Sequence, residues 1–313
     1  MPAFSSSAPG KIILFGEHAV VYGRPAVAVP VTEVSAKVTL TPNPRGQPGE
    51  LKISAPEIGL EAMLADLPAE NPLARAIRLT ASALKVSHIP AAGLRIKSNI
   101  PVASGLGSGA AVTVALMRSL SAFLGQTLPD ERVSALAYEV EKIHHGTPSG
   151  IDNAVITYAC PVYFIKNKPL VRLKPGRPFT IIIGDTGIAS PTAVAVGDVR
   201  KAWQAAHDHY EALFDSAGAM ADSARKAIEN GNIELIGPLM DANHGLLRKI
   251  GVSCSELDRL VLAAREAGAW GAKLSGGGRG GNMIALASPD RADKIARSLL
   301  EAGAARVIVT DVS

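Results

Sequence analysis

Residues 101–116 read PVASGLGSGAAVTVAL, and the three glycines and two serines of 104–109 run straight into an Ala/Val/Leu segment with helical character. The first N–H groups of a helix have no partner within it, and the helix dipole there favours negative charge. Glycines let the backbone wrap closely around whatever is bound. The stretch therefore reads either as an anion site for phosphate or as a tight strand–helix turn with no ligand.

The chain around this stretch has 313 residues, 47% hydrophobic and 19% charged, enough for two domains with sizeable cores. The net charge of +4 is spread along the sequence and aromatics are only 4%. No run of basic residues with interleaved aromatics argues for nucleic acid, and a mild positive balance suits an anionic small molecule. Cys160 and Cys254 lack metal-type spacing and read as reduced, mostly buried thiols. No apolar run approaches membrane-spanning length and no signal peptide is evident, so a cytoplasmic location is expected.

The order of elements divides the chain into 1–177 and 178–313. In the first part, 11–15, 25–31 and 34–42 have strand composition, and AGLRIKSNIPV (92–102) is another strand. Residues 71–86 carry apolar side chains at helical spacing, with Asn71 as N-cap and Pro72 at the first helical position. Helices are also expected over 108–124 and 130–143, the latter ending at the HHGTPSG breaker cluster. In the second part a strand near 178–187 precedes long helical segments at 198–229 and 232–249. A capping-box start then follows at Ser255 and Asp258. The strands 271–275 and 282–287, a helix over 290–302 and a strand over 305–312 complete an order that resembles a split βαβ, ferredoxin-like half.

Four clusters can carry chemistry. The glycine–serine loop is the first. In the second, Lys11 opens an apolar strand that ends in Gly16-Glu17-His18, a charged triplet that must be solvated, paired or used. A Walker-type loop is excluded, because no Gly-Lys pair here has the required Ser or Thr and upstream glycine. The third is EVEKIHHGTPSGIDNAV (139–155). Glu139 and Glu141 lie near a helix C-terminus, where the dipole disfavours carboxylates, so an acid there faces a cation. Asp152 reads either as a helix cap or as a functional carboxylate. His144 and His145 are adjacent, do not share a helix face and have no evident third partner, which argues against a transition metal. The fourth is AKLSGGGRGGNMIAL (272–286), where five glycines in six positions between two strands exceed what a hairpin needs and point to close approach of a ligand.

Together these clusters resemble one family, the GHMP kinases, and within it the branch that phosphorylates mevalonate. The resemblance rests on PGKIILFGEHAVVYGRPAV, PVASGLGSGAA, HHGTPSGIDNAV, NHGLLRKIGVSCSELDRL and KLSGGGRGG, and runs from Pro9 to about Met283. Galactokinases share the Gly-Glu-His triplet without the sequence that follows it, and mevalonate diphosphate decarboxylases share the fold but match these motifs less well. The resemblance implies an α+β fold with an N-terminal α/β domain (ribosomal S5-like) and a C-terminal ferredoxin-like domain. ATP and Mg²⁺ are the implied cofactors, and the implied reaction is phosphorylation of the 5-hydroxyl of (R)-mevalonate.

Carried over by position, Gly105, Leu106, Gly107, Ser108, Gly109 and Ala110 bind the ATP phosphates. Glu141 and Ser108 hold Mg²⁺, and Asp152 and Lys11 act at the reacting hydroxyl. Glu17, His18, Ser149, Gly276, Gly277 and Arg279 lie in or near the substrate pocket. A carboxylate is too weak a base to deprotonate an alcohol beforehand, so Asp152 is expected to orient the hydroxyl and take its proton late in transfer. Two positions depart from the pattern. Gly109 replaces a serine that commonly helps hold Mg²⁺, and Arg279 stands where glycine is usual, either gripping an anion bidentately or facing solvent. Alternatives that keep the fold are phosphomevalonate, another mevalonate hydroxyl or another small hydroxy acid as acceptor. A non-catalytic nucleotide or metabolite sensor is the reading from a different class. The family also implies a possible homodimer, with neither nucleic acid nor membrane as partner.

Overall fold

The computed structural model describes residues 2–101, 104–145, 149–189 and 192–313. Packing divides the chain into two units that are discontinuous in sequence. One comprises 1–10, 34–101 and 107–159, the other 11–33, 102–106 and 160–313. The 177/178 boundary follows element order instead. Strands β1 (Phe4–Phe15) and β2 (Ala26–Pro42) each contribute residues to both units.

In the first unit, the later part of β2 pairs antiparallel with β5 (Ala92–Ser98), Ala36 opposite Ser98 and Pro42 opposite Ala92. Strand β3 (Leu51–Ala55) runs parallel to β5, and β4 (Leu60–Met63) closes the edge antiparallel to β3. Sequence reading missed β3 and β4 because both are short and follow Pro/Gly-rich turns. Helix α1 (Pro72–Ala83) starts as expected. The Asn71 side chain accepts from the backbone N–H groups of Leu73 (3.0 Å) and Ala74 (3.3 Å), with Pro72 in the first turn. It stops three residues earlier than expected, just ahead of a left-handed Lys85. Helix α2 (Ser108–Phe123) buries an Ala/Val/Leu face, and its Ser119 hydroxyl donates to the Val38 carbonyl (2.7 Å), seating helix on sheet. Helices α3 (Asp130–His145) and α4 (Ile151–Tyr158) complete the unit.

In the second unit the first residues of β2 pair with β6 (Val162–Phe164), which pairs in turn with β7 (Val171–Arg172). The main sheet is formed by β8 (Phe179–Asp185), β9 (Gly271–Ser275), β10 (Asn282–Ala287) and β11 (Arg306–Val312) in the order β11-β8-β10-β9, with every pairing antiparallel. Numbered within the unit this is 4-1-3-2, the order of a ferredoxin-like βαββαβ sheet. Strands β8, β9 and β10 are buried almost throughout, which is why they read as continuous apolar runs.

The single helix expected over 198–229 is two helices, α5 (Thr192–Ala205) and α6 (His207–Glu229), because Ala206 leaves the helical region at φ −142°. Helix α7 (Ile236–Ile250) follows a 3₁₀ turn at 233–235 and ends at a left-handed Gly251. Helix α8 (Ser255–Glu266) starts without the expected capping box. Cys254 occupies the cap with no side-chain bond, and Asp258 instead accepts from the Ser253 hydroxyl (2.5 Å) and pairs with His244 and Arg248, both at 3.1 Å. Helix α9 (Ala292–Glu301) connects β10 to β11. Cys160 and Cys254 are free and only half-buried, less covered than expected.

Candidate active site

Of the residues singled out in sequence, Gly107, Ser108, Gly109, Ala110, Glu141, Ser149 and Asp152 belong to the first unit. Lys11, Glu17, His18, Gly105, Leu106, Gly276, Gly277 and Arg279 belong to the second. Val102, Ala103, Gly146, Thr147, Pro148 and the side chains of His144 and His145 lie outside the described residues.

In the first unit, α2 begins right after Gly107, a left-handed residue (φ 76°) at the N-cap with no side chain to satisfy the first turn. The N–H groups that open this helix have no intrahelical acceptor. A Cβ at Gly109 would meet nothing within 4 Å. An uncapped, uncrowded helix start fits an anionic phosphate. Glu139 and Glu141, paired in the sequence argument, separate in role. Glu139 is exposed and bonded to Lys142 (2.6 Å), whereas Glu141 is buried on the other face of α3.

Asp152 lies in the first turn of α4 and is half-buried. Gly150 is the N-cap, so the helix-cap reading of Asp152 does not apply. The next residue, Asn153, is buried and donates to the Ser134 carbonyl (3.1 Å) and hydroxyl (2.9 Å) of α3. Arg118 of α2 reaches Asp130 (2.7 Å) and the Thr157 carbonyl (2.5 Å). These bonds lock the helices that carry Ser108, Glu141 and Asp152 to one another.

In the second unit the charged triplet proves to be paired. Glu17 forms an ion pair with Lys273 of β9, both side chains fully buried, and the second Glu17 oxygen has no protein partner. Burial lowers the Lys273 pKa, and Glu17 opposes that shift. The turn is enforced by Gly16 (φ 94°), where a Cβ would sit 2.5 Å from the Pro25 carbonyl.

His18 is itself left-handed (φ 59°) and places Nε2 3.1 Å from the Gly277 carbonyl. A carbonyl can only accept, so Nε2 carries the proton and Nδ1 is left as a buried lone pair with no protein partner. Burial pushes the His18 pKa down to about 4, against the bond to Gly277 and with a smaller lowering from Arg279. The ring is therefore neutral at physiological pH, and its Nδ1 is an acceptor for a hydroxyl donor.

The second glycine loop, 276–281, has left-handed backbone at five of its six residues: Gly276, Gly278, Arg279, Gly280 and Gly281. At Gly278 a Cβ would fall 1.9 Å from the Val252 carbonyl. The loop lines a small cleft together with Ser104, Gly105, Thr192, Ser275 and Asn282. Arg279 is exposed and ion-pairs with Asp198 of α5 at 2.5 Å. The loop entry is held from two sides. The Lys11 backbone N–H donates to the Leu106 carbonyl (3.0 Å), and the Asn282 side chain donates to the Ser104 carbonyl (2.5 Å). Ser275 adds a bond to the Ile13 carbonyl (2.7 Å). Lys273 and Asn282 escaped sequence reading; a lysine and an asparagine inside strands otherwise apolar were the available signals.

Among the described residues no three His, Cys, Asp or Glu side chains gather as a metal cluster. Mg²⁺ asks for less than that, since it keeps several waters and takes one or two protein oxygens beside substrate phosphates. Buried Glu141 and the Ser108 hydroxyl fit that demand.

Residues 71–160 match the family model described as the GHMP kinases N terminal domain, and residues 224–305 match the GHMP kinases C terminal model. The chain is 36% identical to the mevalonate kinase of Pyrococcus horikoshii over 95% of its length and 92% of that relative. It is 34% identical to the mevalonate kinase of Thermococcus sibiricus over 98% and 96%. The crystal structure of L. major mevalonate kinase in complex with R-mevalonate superposes with a TM-score of 0.83 at 33% identity, covering 99% of this chain and 95% of that one. The Methanococcus jannaschii mevalonate kinase structure gives 0.84 at 26% identity, covering 99% and 98%. With both family domains in order, the ferredoxin-like strand order in the second unit and relatives a third identical from end to end, the chain belongs to the GHMP kinase family.

Proposed function

We propose that this protein transfers the terminal phosphoryl group of ATP to the 5-hydroxyl of (R)-mevalonate, a step of isoprenoid synthesis. The observation that carries this reading is the identity of a third or more, across nearly the whole chain, with proteins named mevalonate kinase. No helix of the described residues is long and apolar enough to cross a membrane, in keeping with action on a water-soluble alcohol in the cytoplasm.

ATP brings the phosphoryl group, and Mg²⁺ offsets the charge on its oxygens. Ser108 and the N–H groups opening α2 would hold the phosphates, with Gly105, Leu106 and Gly107 shaping the approach and Gly109 and Ala110 leaving room for it. Glu141 and Ser108 would hold Mg²⁺. The Lys11 ammonium stabilises the spreading negative charge during transfer. Asp152 orients the acceptor hydroxyl and takes its proton as the bond to phosphorus forms. Glu17 and Lys273 fix the Gly16-Glu17-His18 turn, and the bare Nδ1 of His18 accepts a hydrogen bond from a substrate hydroxyl. Gly276 and Gly277 shape the cleft, and Ser149 precedes the helix of Asp152. Arg279, expected in or near the substrate pocket, is ion-paired with Asp198, and that pair would have to open for the guanidinium to grip an anionic acceptor.

The test is ADP release by the purified protein with ATP and Mg²⁺ across mevalonate, phosphomevalonate, homoserine and galactose, with the product identified by phosphorus NMR. Mevalonate 5-phosphate as the product is expected. Turnover restricted to another acceptor, or nucleotide binding with no ADP release from any, refutes the reading.

A further inference from the structure

Strand β10 reads NMIALA and is buried along its whole length. Its first residue, Asn282, is 1% exposed, donates through Nδ2 to the Ser104 carbonyl at 2.5 Å, and lines the cleft beside Gly105 and Gly276. The amide orientation follows from chemistry. With the group turned over, two oxygens would face each other at that distance. The other atom, Oδ1, is therefore a buried carbonyl oxygen with no partner in the protein.

Burying an amide oxygen unpaired is unfavourable, and a small apolar residue would suit this strand better. Asn282 is thus poorly explained as a stabilising core residue. What it does provide is a fixed position for the carbonyl immediately before Gly105. On the same short segment the Lys11 N–H holds the Leu106 carbonyl at 3.0 Å. Two carbonyls flanking Gly105 are held, one by the asparagine that follows the second glycine loop and one by the strand bearing the candidate catalytic lysine. Gly105 is itself left-handed (φ 81°), a conformation that free glycine samples alongside many others.

We propose that Asn282 is a positioning residue for nucleotide binding. Its Nδ2 donor pins Ser104 and so presets the entry of the phosphate loop, acting through the backbone without touching ATP. This deepens the kinase reading above and rests on it for the assignment of 105–110 to phosphate.

The experiment compares Asn282→Ala and Asn282→Asp with wild type for equilibrium binding of a fluorescent ATP analogue with Mg²⁺, thermal midpoint, and the separate KM values for ATP and mevalonate. Losing one buried hydrogen bond that presets the loop should weaken nucleotide binding about tenfold in the alanine variant. The thermal midpoint should be unchanged or raised, and the KM for mevalonate should not move. The aspartate variant keeps the shape but sets a carboxylate against the Ser104 carbonyl, so it should bind ATP less well than the alanine variant. The expected order is Asn, then Ala, then Asp.

A residue that mattered only for volume would give Asn and Asp alike with Ala below them, and that order overturns the proposal. Nucleotide affinity within twofold of wild type in both variants also overturns it, as does a lowered midpoint with both KM values raised. Should the alanine variant fail to fold, the aspartate variant still decides: wild-type affinity for nucleotide would overturn the proposal. Absence of nucleotide binding in wild type would instead strike at the kinase reading, so the two failures are distinguishable.

Discussion

Lys273 and Glu17 offer the sharpest test of how the second unit is held together. Both side chains are fully buried and joined as an ion pair, and the second Glu17 oxygen already lacks a partner. Replacing Lys273 with Met keeps an unbranched side chain of similar length but removes the counter-charge. The carboxylate is then left desolvated with neither oxygen paired to the ammonium. Breaking a buried pair from one side typically costs about 3–5 kcal/mol, whereas replacing both charges with neutral groups of similar shape is often close to neutral. Lys273→Met should therefore lose about 3–5 kcal/mol, and Glu17→Gln with Lys273→Met should regain most of it.

The assay is urea denaturation followed by tryptophan fluorescence. The only two tryptophans, Trp203 and Trp270, both lie in the unit that contains the pair, so the signal reports on the relevant structure. With an m-value near the upper end of the usual ~1–3 kcal/mol per molar urea, the single variant should shift the midpoint down by roughly 1–2 M. A single variant within about 1 kcal/mol of wild type would refute the argument. So would a double variant no more stable than the single one, since the loss would then lie in packing and not in an orphaned charge.

Asp152→Asn should lower kcat by about 10²–10⁴ while nucleotide binding, read by titration, stays near wild type; near-normal kcat would remove Asp152 from the proton transfer. At Gly109 a Cβ meets nothing within 4 Å, so Gly109→Ser should lower the Mg²⁺ concentration for half-maximal activity; an unchanged Mg²⁺ dependence would mean that the hydroxyl never reaches the metal. Gly276→Ala and Gly278→Ala both force a left-handed alanine, worth about 1–2 kcal/mol each. Only Gly278 would also collide with the Val252 carbonyl, so its denaturation midpoint should fall clearly further; equal losses would show that the loop simply moves aside. His18 titrates at about 4 in the folded protein against 6.5 unfolded, so the unfolded chain binds more protons between those values. Stability should therefore drop by about 3 kcal/mol as pH falls through that window, and His18→Asn should flatten that part of the profile.

Much of the fold could be read from the sequence because its signals were local. Asn71-Pro72 announced α1, the alternation of 34–42 announced part of β2, and the buried apolar runs at 271–275 and 282–287 announced β9 and β10. What failed was non-local or subtle. Nothing in 198–229 marks Ala206 as a break, since alanine is the best helix former. The capping box at Ser255 had the right letters, but Asp258 was drawn away by Ser253, His244 and Arg248. The site showed the same split. Its loops were visible as glycine clusters and its acids as charges at unfavourable positions. The partners that set their states, Lys273 for Glu17 and the Gly277 carbonyl for His18, lie more than 250 residues away in sequence.

Those distant partners share a physical logic. At each, a local preference is overruled: a lysine sits inside an apolar strand, a histidine and an arginine take left-handed backbone, an asparagine keeps a buried oxygen unpaired, and a glutamate is ion-paired in the core. Sequences that fold well are consistent across levels, and departures cluster where function demands them. Here they fall on two short segments of one unit, 16–18 and 273–282, which hydrogen bonds tie to each other and to the 104–106 segment. None of these bonds is needed to form the sheet, whose ladder is complete without them. They set the position of a turn and two loops to within a hydrogen bond, before any ligand arrives. Phosphoryl transfer depends almost wholly on positioning and preset charge, and the chain accepts costs to stability at the points where such positioning is made.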